Sequence, residues 1–162
     1  SVSAFLLNRS SDLTLSMHTD SMLKLLRAVA NPEAATELAD RVLELYPTCA
    51  TAYSAKADAA FASGKVLDMI EYKKQAIYYA RFTIREYLDY FRKLYSAMQT
   101  YLEAGDSVSA AYCANRLLEI PGMLEEAAKT LDPMDVQTID KQVLTLPEDY
   151  LTLLEVLKEN FS

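Results

Sequence analysis

Glycine and proline, the residues that most tight turns require, are scarce in this chain. Its 162 residues include three glycines and five prolines. An all-β domain built from short strands usually carries turn residues every 8–12 positions or so, and so at about 14–20 places in a chain of this length. The composition therefore counts against an all-β fold.

Side chains suited to catalysis or metal binding are also scarce. His18 is the only histidine, and a Ser-His-Asp or Cys-His arrangement needs a histidine that partners hold in place. Cys49 and Cys113 lack the spacing of zinc ligands, and three scattered glycines form no phosphate-binding loop. We therefore expect no catalytic residue, no metal site and no cofactor. Whether the two cysteines pair in a disulfide stays open.

Long apolar runs are missing too. No stretch approaches the roughly 20 apolar residues that a membrane-spanning helix needs, so we expect no direct membrane insertion by this segment. The formal net charge is −7, and the basic patch expected of a nucleic-acid-binding protein is absent. We therefore expect no nucleic-acid partner.

Charge is unevenly distributed along the chain. Residues 65–102 have a balance of +3, whereas residues 103–162 have a balance of −8. The mildly basic centre is a candidate interaction region, and the solvated face of ordinary helices is the simpler explanation for it.

Apolar side chains recur every three or four residues along most of the chain, which predicts helices. Asn31-Pro32-Glu33 marks a helix start, because asparagine caps the first turn, proline suits the first position and glutamate suits the positive end of the dipole. Pro47 ends that helix. The longest regular pattern covers residues 83–104, and Gly105 is expected to end it.

The C-terminal part is predicted to contain, in order, a helix at Ser107–Glu119 that stops at Pro121-Gly122, a short helix at Met123–Leu131, an irregular connection at 133–146 and a final helix from Pro147 to Asn160.

The stretch Ala50–Arg81 reads as two helices joined at Gly64, and its pattern recurs. Positions 34 residues apart match across the chain, which is the period of the tetratricopeptide repeat. The matched pairs are Tyr53 with Tyr87, Pro47 with Arg81, Val42 with Ala76, and Ala35 with Met69.

Residues 50–81 resemble a tetratricopeptide repeat in Tyr53, Ala57, Gly64 and Ala76, and depart from it at Met69 and Arg81. The resemblance implies an all-α fold, a right-handed stack of antiparallel helix pairs with about seven helices. We expect one domain over 1–162, with hairpin units at 19–47, 50–81 and 83–121 and capping helices at 122–162. Gly64 and Gly105 are 41 residues apart, so the first helix of the third unit should be about two turns longer.

A narrower resemblance covers residues 30–155. The tyrosine-rich helix, the stretch YLEAGDSVSAAYCANRLLEIPGMLEEAAKTLDP (residues 101–133) and the helix start Leu146-Pro147-Glu148-Asp149-Tyr150 look like the soluble C-terminal region of bacterial O-antigen ligase or polysaccharide polymerase-like membrane proteins. The resemblance implies a scaffolding domain at the extracytoplasmic face of a bacterial membrane, with glycan-assembly proteins as partners. No residue here matches the catalytic residues of that family. The alternative is a free-standing, cytoplasmic tetratricopeptide adaptor that binds a peptide.

In such arrays the exposed face of the first helix of each pair binds the partner. The resemblance therefore predicts a concave groove for a protein or peptide that is lined by Ser54, Asp58, Phe61, Arg85, Arg92 and Tyr95. Arginine and tyrosine are frequent binding anchors. For each residue taken alone, an ordinary helix surface remains the alternative explanation.

Overall fold

A computed structural model describes residues 20–131 and 144–161 of the chain, and all secondary structure in these two ranges is helical. The predicted all-α class and helix number are therefore confirmed for the described residues, while His18 and most of the predicted connection at 133–146 lie outside them. The seven helices are α1 (20–28), α2 (Pro32–Leu45), α3 (Ala50–Ala62), α4 (Val66–Tyr79), α5 (Ile84–Glu103), α6 (Ser107–Lys129) and α7 (Glu148–Phe161).

Contacts divide the chain into two compact units, Ser1–Tyr79 and Ala80–Ser162. In the first unit α3 packs against both α2 and α4. In the second unit α6 packs against both α5 and α7. Each unit is thus built around one helix that contacts its two sequence neighbours.

The start of α2 follows the sequence prediction closely. The Asn31 side-chain oxygen accepts hydrogen bonds from the backbone N–H groups of Glu33, at 2.9 Å, and Ala34, at 3.2 Å. Pro32 occupies the first helical turn, where its missing N–H costs nothing. From this start α2 presents its apolar face to a small core. That core is formed by Met22, Leu26, Ala35, Ala39, Val42, Cys49 and Ala52.

Helix α3 is rich in alanine and is covered on more than one side. Its buried residues are Ala52, Ala57, Ala59 and Ala60. They are spread around the helix axis, and α2 and α4 pack on different sides of it. Because the distance between packed helices depends on the side chains at the contact, alanines allow α3 a close approach to both neighbours.

The hairpins α3–α4 and α5–α6 turn in the same way. Gly64 has φ 75° and Gly105 has φ 77°, in the left-handed region that favours glycine. Both turns have the two hydrogen bonds of a Schellman motif. In the longer-range bond, the N–H after each glycine donates to a carbonyl five residues back, from Lys65 to Ala60 at 2.8 Å and from Asp106 to Tyr101 at 2.9 Å.

The two hairpins differ in the length of their first helix. Helix α3 has 13 residues and α5 has 20. The difference of seven residues is about two helical turns, as the spacing of the two glycines predicts. These two hairpins therefore align at their turns, and not at the matched tyrosines Tyr53 and Tyr87.

The buried side of α5 does not coincide with the apolar stripe that the sequence predicts. That stripe consists of Ile84, Tyr87, Leu88, Phe91, Leu94, Tyr95, Met98, Tyr101 and Leu102. Tyr90 lies off the stripe but is 0 % exposed, and Ala97 on the same side is also buried. Leu88 and Tyr95 belong to the stripe but are only half-buried, and Leu102 is 47 % exposed. Helix α5 therefore leaves one flank of its apolar stripe uncovered.

The predicted helix end at Pro121-Gly122, with a separate helix at Met123–Leu131, is wrong. Helix α6 continues through Pro121 to Lys129. An interior proline costs about 3 kcal/mol, because one backbone hydrogen bond is lost. Burial of a large aliphatic side chain contributes about 1.5–3 kcal/mol, so a buried stripe that crosses the proline offsets this cost. That stripe consists of Leu117, Ile120, Leu124 and Ala127.

The final helix begins where the sequence predicts. Pro147 precedes α7, and its carbonyl accepts hydrogen bonds from the N–H groups of Tyr150 and Leu151 at 3.1 and 3.2 Å. Leu144 and Leu146, the described end of the preceding connection, are both buried. Their burial brings the start of α7 against the rest of the second unit.

The three glycines offer a matched test of the turns. Gly64→Ala and Gly105→Ala should each lower the free energy of unfolding by about 1–2 kcal/mol, the cost of a left-handed L-residue. No atom packed around any of the three glycines lies within 4 Å of an added Cβ, so this cost is conformational. Gly122→Ala is the control and should raise stability by about 0.5–1 kcal/mol, because Gly122 lies inside a helix. Urea denaturation measures the free energy of unfolding of all three variants. If all three change it in the same direction, the assigned turns are contradicted.

A second test concerns the close approach of α3. Ala57 is fully buried, whereas Ala62 at the end of the same helix is exposed. Ala57→Phe should overpack the unit and lower its stability by about 1–3 kcal/mol or more. Ala62→Phe, the matched control, should change stability by no more than about 0.5 kcal/mol. An unchanged melting temperature for Ala57→Phe would show that the packing around α3 is misassigned.

Candidate partner-binding surfaces

Three of the predicted groove residues share one face of α3. Ser54, Asp58 and Phe61 are spaced by four and three residues, so they lie above one another on the helix. Asp58 is exposed, while Ser54 and Phe61 are half-buried. The Ser54 hydroxyl accepts a hydrogen bond from the ammonium group of Lys73 at 3.0 Å. Ser54 therefore supports the α3–α4 contact, and Asp58 is the most accessible of the three.

Lys73 is a buried charge that sequence reasoning missed. Its exposed fraction is 0 %, although lysine is almost never fully buried unless it is paired. Its hydrogen bond to Ser54 joins α4 to α3. The sequence contains one clue, because Lys73 lies three residues after Ile70 and three before Ala76, both of which are buried. Position 73 is thus on the inner side of α4.

A second lysine connects three helices of the first unit. The Lys56 ammonium group on α3 lies 2.6 Å from an Asp40 oxygen on α2 and 4.5 Å from the centre of the Tyr72 ring on α4. Burial alone would lower the pKa of Lys56, but the hydrogen bond and the charge of Asp40 outweigh it, and the pKa is raised. Lys56 is therefore charged at neutral pH and fixes the orientation of α3 between its neighbours.

The other three predicted residues share one face of α5 in the second unit. Arg85 and Arg92 are exposed and Tyr95 is half-buried. Spacings of seven and three residues place them along the same side of the helix. The chain just before this helix is held by the hydroxyl of Tyr87, which donates to the carbonyl of Arg81 at 2.7 Å.

Tyr150, at the start of α7, contacts this same surface. Its ring stacks on Phe91 with a centroid separation of 4.6 Å, and Phe91 stacks in turn on Tyr95 at 6.5 Å. One nitrogen of the Arg92 guanidinium group donates to the Tyr150 hydroxyl at 3.3 Å. Tyr150 was not among the predicted groove residues, because no local pattern relates positions 58 residues apart. We call Arg85, Leu88, Arg92, Tyr95 and Tyr150 the α5 surface.

The two arginines of the α5 surface keep their charge accessible. The nearby carboxylate of Asp89 lies 2.6 Å from the ammonium group of Lys93 and forms an ion pair with it. Within residues 20–131 and 144–161, neither Arg85 nor Arg92 forms an ion pair with an acidic side chain. This surface therefore presents positive charge in a chain whose net charge is −7.

Side chains that commonly bind metals do not cluster in the described residues. Across them, no group of three or more histidine, cysteine, aspartate or glutamate side chains is arranged to hold a metal ion. Cys49 and Cys113 are free thiols and both are buried. Burial raises the pKa of the Cys113 thiol to about 11, so at neutral pH it is protonated and a poor nucleophile.

No helix in the described part of the chain combines the length and the apolar character needed to cross a bilayer. Comparison with protein-family models, with curated proteins and with solved structures finds no match for this chain.

The Cys113 thiol provides a test of burial. In a Cys49→Ala variant, Cys113 should react with a thiol reagent at pH 8 only after unfolding in guanidinium. The pKa of this buried thiol is about 11, against 9.0 for the free group. Its burial therefore contributes stability that is fully present below pH 9 and is lost as the pH rises toward 11. Fast, stoichiometric labelling of the folded variant at pH 8 would contradict this result.

Proposed function

We propose that this chain is a non-catalytic protein-binding and scaffolding domain, with a tetratricopeptide-like, right-handed stack of antiparallel helix pairs. The observation that carries the proposal is the recurrence of one hairpin design, in which a helix ends in a left-handed glycine and a second helix packs back on it. Helical repeats of this kind build extended surfaces that bind other proteins.

The exposed side chains support a binding role. Arg85 and Arg92 on α5 are accessible and form no ion pair with an acidic side chain of the described residues, and Tyr95 lies beside them. Arginine and tyrosine are enriched among the residues that dominate binding energy at protein interfaces. We assign the α5 surface as the main contact, with Asp58 on α3 as a second accessible position.

We further propose that the domain is the soluble part of a bacterial membrane-embedded O-antigen ligase or polysaccharide polymerase-like protein, where it binds glycan-assembly proteins at the extracytoplasmic face. The resemblance of residues 30–155 to that class supports this assignment. A reading frame that continues upstream of Ser1 into several apolar segments of about 20 residues would agree with it. A complete gene for a soluble protein would instead favour a free-standing, peptide-binding adaptor.

The binding role can be tested by affinity capture from membranes and cytosol of the source organism. The wild-type domain should retain a specific partner, and Arg85→Ala combined with Arg92→Ala should lose it while circular dichroism and melting temperature stay unchanged. The matched control removes two other exposed arginines, Arg27 and Arg41, and should retain the partner.

Binding should then be reproduced with the purified partner by calorimetry. Loss of each interface arginine is expected to weaken it by roughly 1–2 kcal/mol or more. If no protein is retained above the level of an unrelated helical domain, or if both double variants behave alike, the assignment of this surface is wrong.

A further inference from the structure

The uncovered flank of α5 combines apolar and basic side chains. Leu88 and Tyr95 lie on the apolar stripe but are only half-buried, and the exposed Arg85 and Arg92 border them. An interface needs both features, an apolar centre that excludes water and charged residues that fix orientation. The flank differs in this respect from a fully solvated helix face, which carries polar residues only.

Tyr150 shows which chemistry this flank accepts. Its ring lies against Phe91 while its hydroxyl accepts a hydrogen bond from Arg92. Glu148 and Asp149, the residues just before it, are exposed. A segment with carboxylates next to an aromatic ring is thus already present at one edge of the surface.

Charge determines the class of partner. Arg85 and Arg92 are about 10.5 Å apart along the axis, from a rise of 1.5 Å per residue. Asp89 pairs with Lys93, and within the described residues neither arginine forms an ion pair with an acidic side chain. Glu86 follows Arg85 in the chain, and Glu148 and Asp149 precede Tyr150, whereas acidic groups beyond a Debye length of roughly 8 Å are screened at physiological ionic strength. The two guanidinium groups are therefore open to the carboxylates of a partner.

We infer that the α5 surface binds an acidic segment of a partner protein, in which two carboxylates flank an aromatic or aliphatic side chain. The carboxylates contact Arg85 and Arg92, and the apolar side chain lies on Leu88 and Tyr95 with Tyr150 at its edge. This inference rests on the proposed binding function and adds the chemistry of the partner.

The arginine spacing limits the shape of the segment. On a helix, carboxylates seven positions apart lie on one face and span about 10.5 Å. In an extended segment every second side chain shares a face, so carboxylates four positions apart lie on one face and span about 13 Å at 3.3 Å per residue, a distance that the long arginine side chains can reach. Either shape presents both charges and one central apolar group to a single side of α5.

A pair of synthetic peptides tests the inference with the intact chain. The probe is fluorescein-labelled Glu-Ser-Tyr-Ser-Glu-Ser-Tyr-Ser-Glu, which when extended presents glutamates on both sides of a tyrosine on one face, and its control has lysine at every glutamate. Fluorescence anisotropy should show saturable binding of the acidic peptide only. Because the attraction is between exposed charges, raising the salt to about 0.3 M should weaken binding severalfold.

Variants assign the binding to the α5 surface. The double variant Arg85→Glu with Arg92→Glu should lower the affinity for the acidic peptide by at least about tenfold. The control, Arg27→Glu with Arg41→Glu, should leave that affinity unchanged. In a nitrogen-15 NMR titration, shifts should concentrate on α5 and around Tyr150.

Four results would overturn the inference: equal binding of the lysine peptide, no binding of either peptide, insensitivity to the Arg85 and Arg92 reversal, or NMR shifts confined to other helices. Binding of heparin without binding of the acidic peptide would overturn it in favour of a non-protein polyanion. If a protein partner is captured while the acidic peptide fails, the proposed binding function stands and only the inferred partner chemistry is wrong.

Discussion

The last carbonyl groups of a helix lack partners in the helix itself, and the chain must satisfy them before it can reverse direction. Here one left-handed glycine does both at each hairpin, because its own N–H and that of the next residue donate back to carbonyl groups at the helix end. The next helix then starts at once and lies against the one just completed. The close contact of α3 with α4, and of α5 with α6, depends on these two residues, Gly64 and Gly105.

Features that depend on neighbouring residues in the chain could be predicted from the sequence. Asn31-Pro32 and the two turn glycines belong to this class, and the structure places each where it was expected. The continuation of α6 through Pro121 could not be predicted in this way. A proline predicts a helix end from local chemistry, whereas the buried stripe that offsets it depends on helices packed from elsewhere in the unit.

In the candidate site, too, some features follow from neighbouring residues and others from the packing of distant segments. Spacing alone predicts that Arg85, Arg92 and Tyr95 share a side of α5, because helical periodicity is local. Packing between distant segments determines which side of α5 is buried and places Tyr150 against Phe91. The ion pair of Lys56 and the buried position of Lys73 belong to this second class, since both involve helices that the sequence does not orient.

Pro121 also has a mechanical consequence. Because proline has no N–H, the carbonyl of Leu117 lacks its usual donor four residues ahead, and α6 is missing one link at this point. Helix α6 packs beside α5, and Leu124 and Ala128 beyond the proline line a cavity together with Leu151 of α7. The missing link therefore comes just before residues that face α7. A small bend there would move α7 and change the contact of Tyr150 with Phe91 and Arg92.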